Sequence, residues 1–149
     1  MPAGTCKTGK KAAMRLGWLV VIGICACERN APRPPEELAY RTFAEAVRRG
    51  DSAAAWGGLS QTTQRLMEAK AKAVSEASNG AVKNEPALMM FQSGTRPAPL
   101  GEVKVLESDG GTTVILVTSS GENHHVVMVR EGDRWAVDLS AILREANQP

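Results

Sequence analysis

Thr112-Thr-Val-Ile-Leu-Val-Thr118, His124-His-Val-Val-Met-Val-Arg130 and Trp135-Ala-Val-Asp-Leu139 decide the fold of this chain. The first two runs are rich in β-branched residues, and in the third Trp135, Val137 and Leu139 alternate with Ala136 and Asp138, so each reads as a strand. Upstream, Val103 and Val105 alternate with Glu102 and Lys104 in the same period of two. The connections Asp109-Gly-Gly111, Ser119-Ser-Gly-Glu122 and Glu131-Gly-Asp133 are short enough for hairpins, and four strands in succession predict an antiparallel meander.

The half of the chain before the strands is helical in pattern. Pro35 followed by Glu36 and Glu37 is a helix start, because proline pre-sets φ and the carboxylates face the positive end of the helix dipole. Ala39, Phe43, Ala46 and Val47 make its apolar face, and Gly50 stops it. Asp51 can cap a short second helix from Ser52 to about Trp56, broken by Gly57-Gly58, with Trp56 and Leu59 placed to pack on the first. Ser60 can cap a third, from about Gln61 to Ala77, ended by Asn79-Gly80. There Leu66, Ala69, Ala73, Val74 and Ala77 are expected on one side, with Glu68, Lys72 and Glu76 opposite and Glu68 paired to Lys72. Glu85 to Phe91 reads as a helical turn or two, with Met89, Met90 and Phe91 as an apolar cluster, and Arg96-Pro-Ala-Pro99 as a loop. Helices followed by an antiparallel sheet give an α+β domain.

The first residues have a different character. Lys7, Lys10, Lys11 and Arg15 precede an apolar run from Leu16 to Ala26 that is too short to span a bilayer but long enough for the h-region of an export signal. Ile24-Cys-Ala26 before Cys27 resembles the bacterial lipobox: a branched apolar residue, a tolerant position, a small residue, then the cysteine that takes the lipid. Cys27, preceded by Ala26, fits that pattern, whereas Cys25, preceded by Ile24, does not. The expected organisation is a signal peptide over 1–26, a lipidated tether over 27–34 and one α+β domain over 35–149. The polar, proline-bearing stretch Glu28 to Pro34 suits an extended spacer. An ordinary signal peptide or a buried apolar helix are the alternatives for the leader, and translation from Met14 is an alternative start. The resemblance implies attachment to the membrane of a bacterial cell envelope with the domain outside the cytoplasm. The same resemblance implies that Glu28, rather than Asp, beside Cys27 favours the outer membrane if two membranes are present.

Composition excludes several classes. The chain has 18 Lys and Arg against 16 Asp and Glu, and four of the basic residues sit in the leader with no acidic ones, so the domain itself is slightly acidic. It carries no basic stripe for phosphates, which disfavours nucleic acid. Cys6 and Cys25 leave with the signal and Cys27 is consumed by the lipid, so the domain is expected to hold no disulfide, no thiolate-bound metal and no cysteine nucleophile.

The stretch Ala39 to Asp51, then Trp56, Leu59-Ser60 and Thr63, and finally Val129 to Leu139, resembles the nuclear transport factor 2-like (cystatin-like) superfamily, in particular the small domains found in bacterial lipoproteins. The resemblance implies a curved sheet wrapped around helices to make a cone with a pocket. Its enzymes, such as relatives of ketosteroid isomerase, use a pocket carboxylate as base.

No constellation in this sequence reproduces such chemistry. His124 and His125 are neighbours on a strand and point to opposite faces, so they cannot converge on one metal ion. Asp138 is expected to face solvent opposite Trp135, Val137 and Leu139, and Tyr40 is the single tyrosine, near the start of the first helix. Ser60 and Ser140 lack a histidine and acid in a nucleophile motif and read as capping or turn residues. Gly57-Gly58 and Gly110-Gly111 lack the Lys-Ser/Thr ending of a phosphate loop. Trp56 and Trp135 read as core, and Met89-Met90-Phe91 as core or the rim of a pocket. No catalytic, cofactor or metal residue is therefore assigned, and substitution of His124, His125 or Asp138 is expected to leave the fold intact. The expectation is a membrane-anchored lipoprotein, monomeric or weakly dimeric, whose domain binds a small apolar ligand or a protein partner. A small-molecule enzyme of the isomerase or dehydratase type is the alternative.

Overall fold

The computed structural model describes residues 32–91 and 97–146. Cys27, expected from the sequence to carry a lipid, and the expected signal peptide over 1–26 lie outside the described residues. Three helices come first: α1 Pro35–Arg49, α2 Ser52–Gly57 and α3 Gln61–Ala77. A 3₁₀ turn, Pro86–Phe91, leads to four strands, β1 Leu100–Ser108, β2 Thr112–Ser119, β3 Glu122–Glu131 and β4 Arg134–Asp138, and then to α4 Ser140–Glu145. The strands form one antiparallel sheet in the order β1-β2-β3-β4, the meander expected from the hairpin connections.

Local chemistry accounts for the boundaries. Pro35 opens α1, Glu36 and Glu37 occupy its first turn and Arg48 and Arg49 its last, and Gly50 closes it in the left-handed region at φ 73°. Asp51 accepts the Ala54 N–H at 3.0 Å to cap α2, and Ser60 Oγ accepts the Thr63 N–H at 3.1 Å to cap α3. The β2–β3 hairpin turns on Ser120 and Gly121, both at positive φ (53° and 83°), the pattern that matches strand twist in two-residue loops. Two irregularities in the β1–β2 register, at Leu100/Val103 and Val105/Glu107, bend the sheet.

The core lies between the helices and one face of the sheet. Ile115 and Val117, two apart on β2, are buried together with Val103, Met128 and Val137 of the other strands and with Leu59 and Met67. α1 lies against β4 and β1. Gly58 permits the close passage of α2 past α1, since a Cβ there would stand 2.9 Å from Phe43 Cδ2 and 3.2 Å from Phe43 Cβ.

The link between α2 and α3 also closes one sheet edge. Val137 N–H donates to Gly58 O at 2.9 Å and Ser60 N–H to Val137 O at 2.8 Å, so Leu59 pairs with Val137 as a one-residue parallel strand. That pairing covers backbone groups that β4 otherwise leaves open.

Four expectations are corrected. The buried face of α3 is Thr63, Met67 and Ala71, while Ala69, Ala73, Val74 and Ala77 are exposed and Leu66 is half-buried. Alanines fit either side of a helix equally well, and the orientation is set by where Met67 and the bonded Thr63 must go. Lys72 pairs with Glu76 at 3.9 Å rather than with Glu68. The last strand ends at Asp138, and Leu139 leads directly into α4, a helix too short to leave a period in the sequence. On β4 both Ala136 and Val137 are buried and Trp135 is half-buried, so the strand does not alternate between core and solvent.

Candidate functional site

Among the described residues, a cavity of about 780 Å³ lies between α1, the 3₁₀ turn, the start of β1 and α4. That volume falls in the range of pockets that enclose a small organic ligand. Its apolar wall comes from Phe43 and Val47 of α1, Met67 of α3, Met89 and Met90 of the 3₁₀ turn, and Leu143 of α4. The helical period places Phe43 and Val47 one turn apart on the same side of α1. Met89 and Met90 serve both roles anticipated for them, packing on the core cluster while lining the cavity.

The polar part of the lining comes from α1 and from the end of β2. Tyr40, Arg41, Glu45 and Arg48 project from the helix, and Ser119 adds a hydroxyl. Both cations are already partnered. Arg41 Nε donates to Glu37 Oε1 at 2.8 Å. Arg48 grips Glu45 with two bonds, Nε to Oε2 at 2.8 Å and a terminal nitrogen to Oε1 at 2.7 Å. The hydrogen bond from Arg48 is the largest influence on the Glu45 carboxyl; it outweighs the opposing effect of desolvation and, with the charges of Arg48 and Arg49, holds the group below the usual carboxylate range. The Tyr40 ring leans on Phe43 with centroids 6.2 Å apart, and burial pushes its phenol up, so it stays protonated and available as a donor.

The residues weighed from the sequence lie elsewhere. His124 and His125 are both exposed near the β2–β3 hairpin, with His124 Nε2 3.8 Å from a Glu122 carboxylate oxygen. Among the described residues, no three His, Cys, Asp or Glu side chains gather as a metal site. Trp56 and Trp135 pack on the core and are not part of the cavity lining.

Asp138 departs most from expectation. The residue is half-buried, and its carboxylate ties the end of β4 to the start of α3. One oxygen accepts Thr63 Oγ1 at 3.0 Å, Ser60 Oγ at 3.3 Å and the Ser140 N–H at 2.8 Å. Thr63 Oγ1 in turn accepts the Leu139 N–H at 2.9 Å. Burial alone raises the carboxyl, and the bonds from Ser140, Thr63 and Ser60 outweigh it and hold Asp138 below the usual range. With every partner a structural group, this cluster is a clasp. Ser60 keeps the capping role read from the sequence, and Ser140 lends its N–H at the start of α4.

The sequence pattern held no pointer to α4, and so none to Leu143 in the cavity wall. Glu45 and Arg48 carry no site signal in the sequence, and only the fold brings them to the rim. No protein-family model, curated protein or solved structure matches the chain.

Proposed function

We propose that this chain is a bacterial lipoprotein, anchored through a lipid on Cys27, whose α+β domain is nuclear transport factor 2-like and binds a small apolar ligand in the cavity without transforming it. The cavity carries this reading: about 780 Å³ with a mainly apolar lining, reached from α1, the 3₁₀ turn and α4. The non-catalytic part is supported by what its polar groups are doing. Arg41 and Arg48 are held by Glu37 and Glu45, Tyr40 stays protonated, and Asp138, His124 and His125 stand outside the lining.

The ligand reading is tested by filling the space. Ala44 lines the cavity, and a larger side chain there occupies it without entering the core cluster. Nile red, an uncharged dye that brightens in apolar surroundings, is expected to bind the wild-type protein and to bind Ala44→Trp at least tenfold more weakly, with the two proteins melting at similar temperatures. Equal dye binding by both rejects the cavity as the site.

The anchor is tested separately. Labelled palmitate fed to expressing cells is expected to enter the protein, to be lost in Cys27→Ala and to be retained in Cys25→Ala. Label that survives Cys27→Ala rejects the assignment.

A further inference from the structure

Taking the cavity as a ligand site, as proposed above, we infer that its occupant is an uncharged single-chain amphiphile, an acyl chain in the apolar interior with a neutral hydrogen-bond-accepting head at the polar rim. Three features of the lining point to it. The first is the wall. Met67, Met89 and Met90 are unbranched and adaptable, and they line the space together, which suits a flexible chain better than a rigid ring system. The second is size. A cavity of about 780 Å³ accommodates one chain, whereas a membrane lipid carries two.

The third feature is charge, and it selects the head group. A fatty acid site is expected to present an uncompensated cation to the carboxylate. Here Arg48 is held in a two-bond pair by Glu45, and Arg41 is bonded to Glu37, whose side chain is only 12% exposed. A carboxylate entering beside Arg48 meets the Glu45 carboxylate at the same guanidinium, and the two like charges repel. An uncharged ester or hydroxyl head meets no such repulsion. The protonated Tyr40 phenol and the Ser119 hydroxyl give it donors.

The experiment uses the full chain in a detergent-free amphiphilic polymer with Nile red bound, at pH 8. 1-Monopalmitoylglycerol and palmitate, which share the same acyl chain, are titrated below the concentrations at which either aggregates. Monopalmitoylglycerol is expected to displace the dye at a concentration at least tenfold lower than palmitate. Glu45→Gln frees Arg48 and is expected to strengthen palmitate at least fivefold. Arg48→Gln leaves Glu45 only its longer 4.0 Å pair with Arg49 and is expected to weaken palmitate, which provides an independent check if the first variant folds poorly. Palmitate displacing as well as the glyceride, or a preference that neither variant moves, overturns the inference. If the dye binds and neither lipid displaces it, the cavity reading stands and the acyl-chain assignment falls. If the dye itself does not bind, the cavity reading fails first.

Discussion

Leu59→Ala is expected to destabilise the domain by about 4 kcal/mol, near the upper part of the range for a buried leucine truncated to alanine. Leu59 is fully buried and belongs to the same cluster as Ile115, Met128 and Val137. The cost is high because the site cannot collapse. Its flanking residues are fastened to β4 by the Val137-to-Gly58 and Ser60-to-Val137 bonds at 2.9 and 2.8 Å, so the backbone cannot follow the lost side chain inward. Since small domains hold roughly 5–15 kcal/mol in all, the variant should be marginal at room temperature. Urea unfolding followed by tryptophan fluorescence measures it, with Leu106→Ala, which is 47% exposed, as a comparison expected to lose under about 1 kcal/mol. A loss as small as that for Leu59→Ala contradicts the placement of this loop between the helices and the sheet edge.

Asp138→Ala is expected to cost about 2 kcal/mol, since it removes the acceptor shared by Ser60, Thr63 and the Ser140 N–H. The pH dependence follows from the direction of its shift. The folded carboxyl lies below its ordinary value, so the stabilisation is fully present above the usual Asp range near about 4 and is lost as pH falls through the lowered folded value. Wild type should therefore lose more stability on acidification through that window than Asp138→Asn, and the gap between them should close at the acid end. Parallel acid profiles for the two proteins contradict the clasp.

Much of the architecture was legible because it rests on short-range rules. The β-branched runs from Thr112 to Thr118 and His124 to Arg130 emerge as β2 and β3, and Gly50, Asp51 and Ser60 mark helix ends where their backbone and side-chain chemistry requires. What the sequence hid depends on tertiary partners. The clasp joins Asp138 to Ser60 and Thr63, more than seventy residues away in the chain, and no local spacing announces such a contact. The alternation at Trp135 to Leu139 failed because β4 is covered on both faces, with Ala136 and Val137 both buried, and because the strand ends before Leu139. The face of α3 was misread because a row of alanines carries little orientational information. At the candidate site, Met89 and Met90 stood out in sequence as an apolar pair in an irregular segment. Glu45 and Arg48, which set the charge of the rim, did not.

The most direct measurement of the central claim, that the cavity is a ligand site, uses the methionines themselves. Met67, Met89 and Met90 line the cavity, while Met128 is fully buried in the core and outside the lining. With methyl-labelled methionine in the full chain, saturation with Nile red is expected to shift the methyl resonances of Met67, Met89 and Met90 and to leave Met128 within its linewidth. Shifts of Met128 as large as theirs, or no shift of those three while the dye is bound, contradict the account.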